Sequence, residues 1–139
     1  MVTIVYWSGT GNTEAMANEI EAAGNGINAG AEVEKMLFDD TTVDAVAGKD
    51  VILLGCPAMG GEELEETVVE PFFAELAGKL SGKKVGLFGS YGWGTGDWME
   101  TWKQRVIDAG ANLIGTAIVN ETPNDSEECK ALGEAAAKA

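Results

Sequence analysis

Short, almost unbroken apolar runs that alternate with helix-like stretches constrain this chain most. Val51-Ile52-Leu53-Leu54 and Val85-Gly86-Leu87-Phe88 leave no polar face, and a strand of that kind has to be covered on both sides. Runs at 2–7, 32–38, 50–55, 84–90 and 113–120 follow the same rule, with longer amphipathic segments between them. The expected fold class is α/β, a three-layer, doubly wound sandwich with a five-stranded parallel sheet. Right-handed crossovers place the helices on both faces, and ligands in such sheets bind outside the carboxyl ends of the strands, where strand order reverses. Glycine, 19 of 139 residues against a usual share of roughly 7%, concentrates in the loops after strands one, three and four.

The chain length of 139 residues implies a single domain, 1–139, with one proper core. A formal net charge of -14 argues against nucleic acid or anionic membrane as partners, since both require clustered Lys and Arg. Nowhere do 18 apolar residues run together, and the N-terminus enters a strand pattern without a secretory signal. A cytoplasmic monomer is expected. Cys56 and Cys129 lie outside any zinc or C-x-x-C spacing and read as buried hydrophobes. Histidine is absent, which removes the usual acid-base catalyst at neutral pH and the commonest metal ligand, so no metal site is expected.

Local patterns fill in the helices. The first begins near Asn12, and Gly24, Gly26 and Gly30 suggest that it frays or ends early, because glycine costs about 1 kcal/mol inside a helix. Pro71 suits the first turn of another helix, with Phe72, Phe73, Leu76 and Leu80 as its packing face. Trp98, Trp102 and Val106 recur at helical spacing and read as core. The last helix opens near 124–126 and buries Cys129, Leu132 and Ala136.

Directly after the first strand comes Ser8-Gly9-Thr10-Gly11-Asn12-Thr13. Hydroxyls, an amide and backbone N–H groups at a helix start suit a phosphate monoester. No Lys or Arg precedes Lys35, so the loop lacks the lysine of an ATPase P-loop. An ordinary turn, with Thr10 as N-cap and Glu14 in the first helical turn, is the plain alternative. Loops 56–63 and 90–97 weigh against it. Trp93 sits between glycines where no periodicity buries it, and Met59 is a polarizable side chain on a glycine-rich turn. Together they could enclose a planar heterocycle, Met59 inside and Trp93 toward solvent.

These three motifs resemble those of the short-chain flavodoxins, in the family's order along the whole chain from Val2. Ser8 to Thr13 is similar to the FMN phosphate loop, Ala58-Met59-Gly60-Gly61-Glu62 to the inner flavin loop, and Ser90-Tyr91-Gly92-Trp93-Gly94 to the outer one. Residues 113–120 lack the insertion that splits the last strand of long-chain members. The resemblance implies strand order 2-1-3-4-5 with FMN between strands one and three. It also implies that Ser8, Gly9, Thr10, Gly11, Asn12 and Thr13 hold the phosphate. Pro57, Ala58, Ser90 and Asn120 would contact the ribityl chain and frame the loops. Glu62 would accept from flavin N3-H, N–H groups near Gly92 and Trp93 would meet the pyrimidine oxygens, and the Gly60 carbonyl would meet N5-H. Gly61 departs from the family, which commonly carries a side chain there, and bears on tuning more than on binding.

The function so implied is a low-potential one-electron carrier with tightly, non-covalently bound FMN, cycling between neutral semiquinone and hydroquinone, and not an enzyme. Its partners would be basic or locally basic redox proteins, a reductase as donor and an oxidoreductase as acceptor. Negative charge near the ring, from Glu62, Glu63, Glu65, Glu66 and Glu70, would lower the potential. The rivals are a small FMN-dependent quinone reductase, which would need a nicotinamide site, and a flavodoxin-like activator of ribonucleotide reductase. A receiver-type signalling domain shares the strand order but needs acidic residues ending strands one and three, where this chain has Trp7-Ser8 and Gly55-Cys56.

Overall fold

The computed structural model describes residues 2–7, 9, 11–25, 32–59, 63–91, 96–120 and 126–139. β1 (Val2–Tyr6), β2 (Val33–Leu37), β3 (Val51–Gly55), β4 (Lys84–Tyr91) and β5 (Asn112–Asn120) form one sheet in the order β2-β1-β3-β4-β5. Every neighbouring pair is parallel. The strands match the five apolar runs to within a residue at each end. β5 runs unbroken, its pairing with β4 shifting once between Val85 and Gly86.

Side chains of the inner strands alternate between two cores, as the pleat requires. Val5, Ile52, Leu54, Val85 and Leu87 face α2 (Val43–Ala47), α3 (Val69–Ala77) and α4 (Asp97–Asp108). Ile4, Tyr6, Leu53 and Phe88 face α1 (Asn12–Asn25) and α5 (Glu127–Lys138). Each layer buries the face its periodicity predicts: Met16, Ala17 and Ile20 from α1, Cys129, Leu132 and Ala136 from α5, and Trp98, Trp102 and Val106 from α4 are all buried. Both cysteines are fully buried free thiols.

Three details depart from the sequence reading. α1 ends at Asn25, within the glycine stretch where it was expected to fray or stop, but it passes through Gly24 itself, because that glycine lies where α1 packs against β2 and α5. A Cβ on Gly24 would stand 2.9 Å from Val33 Cγ2, and one on Gly133 of α5 would stand 2.5 Å from the Ile20 carbonyl oxygen. The two helices approach so closely that the packing outweighs the propensity cost. The Ser126 N–H, at the start of α5, donates to Glu19 Oε1 of α1 at 2.9 Å. Residues 26–30, where the break was expected to extend, lie outside the described residues.

α3 is the second departure, since it ends at Ala77 and leaves Leu80 beyond its last turn, although Leu80 is fully buried. Pro71 falls in the first turn as expected, and Phe72 meets Phe38 edge-on at 5.0 Å between centroids. The third is α2, five residues long and too short for periodicity to reveal. Thr42 caps it by accepting from the Ala45 N–H.

Candidate functional site

Strand order reverses at β1, with β2 on one side and β3 on the other, so the crevice opens above the ends of β1 and β3. Trp7 leaves the sheet while its N–H still donates to the Gly55 carbonyl at 3.0 Å. Gly11 then turns the chain at φ 94°, with nothing within 4 Å of where a Cβ would stand. α1 starts at the next residue, and its first bond runs from the Ala15 N–H to the Gly11 carbonyl. The first N–H groups of a helix have no acceptor within it and carry a partial positive charge. This turn therefore presents donors and dipole at the sheet's carboxyl edge without a basic side chain.

Thr13, the second residue of α1, is almost fully buried, and its Oγ1 lies 3.2 Å from Ser90 Oγ at the end of β4. The pair links helix and strand beneath the crevice. Asn12 is half-buried, while Gly9 and Gly11 are exposed. Ser8 and Thr10, the latter the expected N-cap, lie outside the described residues. Lys35, the first cation of the chain, is bound instead to Glu21 and Asn18. Nearby, Tyr6 donates to Glu14 at 3.3 Å. Burial and the Glu14 carboxylate raise its phenol above the ordinary range.

The inner loop leaves β3 at Cys56, whose N–H donates to the Phe88 carbonyl at 3.0 Å. Its own carbonyl accepts from Trp98 Nε1 at 3.2 Å. Burial pushes the Cys56 thiol up to about 12, which keeps it protonated and unreactive. The Ala58 N–H donates to Ser90 O at 2.9 Å and the Met59 N–H to Glu63 O at 3.0 Å. The chain is thus tied together at Met59 and Glu63, the described residues on either side of 60–62. Pro57, Ala58 and Met59 are half-buried. Gly60, Gly61 and Glu62 lie outside the described residues.

β4 ends at Tyr91, which packs at a tilt against Trp98, 5.7 Å between centroids. In the sheet register it stands opposite Asn120, the exposed last residue of β5. Gly92, Trp93 and Gly94 lie outside the described residues. Of the expected site residues that are described, hydrogen bonds join Thr13, Ser90 and Ala58 into one unit. Gly9, Gly11 and Asn12 flank it on the β1 side, and Asn120 and Tyr91 on the other.

The carboxylates near the inner loop do not form one uniform charged patch. Glu70 accepts two 2.7 Å bonds from Arg105, which compensates its charge. Glu65 is only 5% exposed and wraps onto the start of α3. Glu63 and Glu66 remain exposed. The role of Glu65 escapes sequence reasoning, and its signal, a glutamate just ahead of Thr67-Val68-Val69, is visible only once the helix is known to begin at Val69.

A protein-family model described as flavodoxin matches residues 4–133. The flavodoxin of Megasphaera elsdenii is 74% identical over 139 residues, covering 100% of both chains. That of Clostridium beijerinckii is 45% identical over 133 residues, covering 94% of this chain and 95% of the relative. Among solved structures, the solution structure of two-electron reduced Megasphaera elsdenii flavodoxin superposes with a TM-score of 0.94 at 74% identity, covering 100% of each chain. Among the described residues, no helix is long and apolar enough to cross a membrane. Sheet order, a cation-free turn at the strand switch and full-length similarity together make this chain a member of the flavodoxin family, whose members bind FMN and carry electrons between redox proteins without converting a substrate.

Proposed function

We propose that this protein is a low-potential one-electron carrier whose FMN is held across the ends of β1, β3 and β4. The observation that carries this reading is the turn from β1 into α1. Positive φ at Gly11, the helix start at Asn12 and the buried Thr13–Ser90 hydroxyl pair fit a phosphate monoester, which needs several donors within a small arc. Ser8, Gly9, Thr10, Gly11, Asn12 and Thr13 would grip the phosphate as neutral donors. Pro57, Ala58, Ser90 and Asn120 would frame the chain that joins phosphate to ring, and Met59 and Trp93 would lie on either side of the ring. Gly60, Gly61 and Glu62, with Tyr91, Gly92 and Gly94, would supply the turns and polar groups at its edge. FMN when bound supplies one-electron chemistry. The protein's part is to orient the ring, exclude water and set the field around it.

That field is negative. A carboxylate about 10 Å from the ring, at an effective dielectric between 40 and 80, costs an added electron roughly 0.4–0.8 kcal/mol before screening. For one electron this is roughly 20–35 mV per carboxylate. Arg105 neutralises Glu70 and the start of α3 stabilises Glu65, so Glu62, Glu63 and Glu66 would carry most of the effect. The same acidic face suits basic or locally basic redox partners, which a net charge of -14 would attract at long range. The proposed setting is a cytoplasmic monomer.

Potentiometry of the FMN-loaded protein tests this reading. The potential for the second electron should lie below that of free FMN and rise with ionic strength. A potential equal to that of free FMN at every salt concentration would remove the carrier reading's electrostatic basis.

A further inference from the structure

The inner loop has two anchors, and only one belongs to the sheet. On the sheet side, Cys56 and Ala58 are hydrogen-bonded to β4. On the other side the chain returns through Glu63 to Glu65, a carboxylate only 5% exposed. Glu65 Oε1 accepts from the Thr67 N–H at 2.6 Å and from Thr67 Oγ1, while Oε2 accepts from Val68 N–H at 2.8 Å and Val69 N–H at 3.1 Å. These are groups at the start of α3, where N–H donors and the helix dipole favour an anion. The backbone of Glu65 is equally committed. Its N–H points to Cys56 Sγ at 3.4 Å and its carbonyl accepts from the Glu70 N–H at 2.9 Å. One residue therefore joins α3, the end of β3 and the chain returning from Glu63, whose carbonyl accepts from the Met59 N–H.

We propose that Glu65 is a positioning residue for the expected flavin loop, holding its described ends, Met59 and Glu63, in register against β3 so that the loop's effect on the flavin is set by geometry rather than by Glu65's own charge. The proposal rests on the reading that the loop between Met59 and Glu63 borders the FMN ring. A turn whose conformations favour one redox level over another shifts the couple only by the difference in their stabilities. Loosening its anchor reduces that difference. Charge acts otherwise, because an exposed carboxylate is felt through water and fades with salt.

Glu65→Asp separates the two. It keeps the charge but shortens the side chain by one methylene, so the three-residue cap cannot be spanned from the same backbone position. Glu66→Gln is the comparison, since Glu66 is exposed and its loss changes charge alone. With FMN bound, Glu65→Asp should change the equilibrium constant for the second electron about fivefold, or about 40 mV for one electron, and the shift should persist at high ionic strength. The Glu66→Gln shift should disappear there. In the apo protein, amide exchange at Met59 should quicken severalfold in Glu65→Asp while Leu53 in the sheet keeps its parent rate, which distinguishes local release from general destabilisation.

A Glu65→Asp potential equal to the parent's, a shift that fades with salt as Glu66→Gln's does, or unaltered exchange at Met59 would each overturn the proposal. If the parent protein takes up no FMN, the cofactor reading falls by itself. Exchange at Met59 in the apo variant still decides whether the clamp exists.

Discussion

A carboxylate that accepts four hydrogen bonds inside the protein responds to pH differently from one in water. For Glu65, burial by itself would raise the carboxyl, but the bonds from Thr67, Val68 and Val69 outweigh it and hold it below the ordinary value of 4.5. A depressed folded value means that the cap's stabilisation is fully present above pH 4.5 and is lost as pH falls through the lowered value. Glu65→Gln should therefore cost about 1 kcal/mol, the usual worth of a helix cap, in urea unfolding at pH 6 to 7. The gap to the parent should narrow steadily below pH 4.5. A gap that stays constant down to pH 3 would show that the ionised carboxylate is not what holds the helix start. Core side chains were readable from spacing, as with Trp98, Trp102 and Cys129, because burial follows periodicity. Glu65 was not, because it looks like any acidic surface residue until the start of α3 is located.

Packing between elements explains where propensity misled. Gly24 and Gly133 look like weak points in two helices, yet Gly133 marks the crossing of α1 and α5, where backbone meets backbone, and Gly24 sits between that crossing and Val33 of β2. Strand runs and their parallel character were legible, since continuous apolar stretches follow from coverage on both faces. The crossing was not, because it depends on which two helices share a face. Gly133→Ala should gain about 1 kcal/mol in helix propensity and lose about 1–3 kcal/mol from overpacking against the Ile20 carbonyl. The expected balance is a lower urea midpoint. Gly24→Ala meets a valine methyl, which yields more easily than a carbonyl, so it should cost less. Equal or raised midpoints for Gly133→Ala would contradict the close crossing.

At the scale of the whole molecule, a protein of charge -14 is proposed to bind a phosphate monoester, and only local structure can reconcile the two. The crevice position was legible from the alternation of strands and helices, and the turn from β1 into α1, proposed to hold the phosphate, is marked in the sequence by its glycines and hydroxyls. The tie from Thr13 to Ser90 was not, since it joins residues 77 positions apart. Neutral donors at a helix start make a distinctive demand on salt. If a cation held the phosphate, added salt would weaken binding by screening the attraction. Here screening acts on the repulsion between the phosphate and the acidic surface. The decisive measurement is therefore titration of the apo protein with FMN and with riboflavin, which lacks the phosphate, from low to high ionic strength. The account predicts FMN binding at least about a hundredfold tighter than riboflavin, close to 3 kcal/mol, with FMN affinity constant or rising as salt is added. Equal affinity for the two flavins, or FMN affinity that falls steeply with salt, would contradict it.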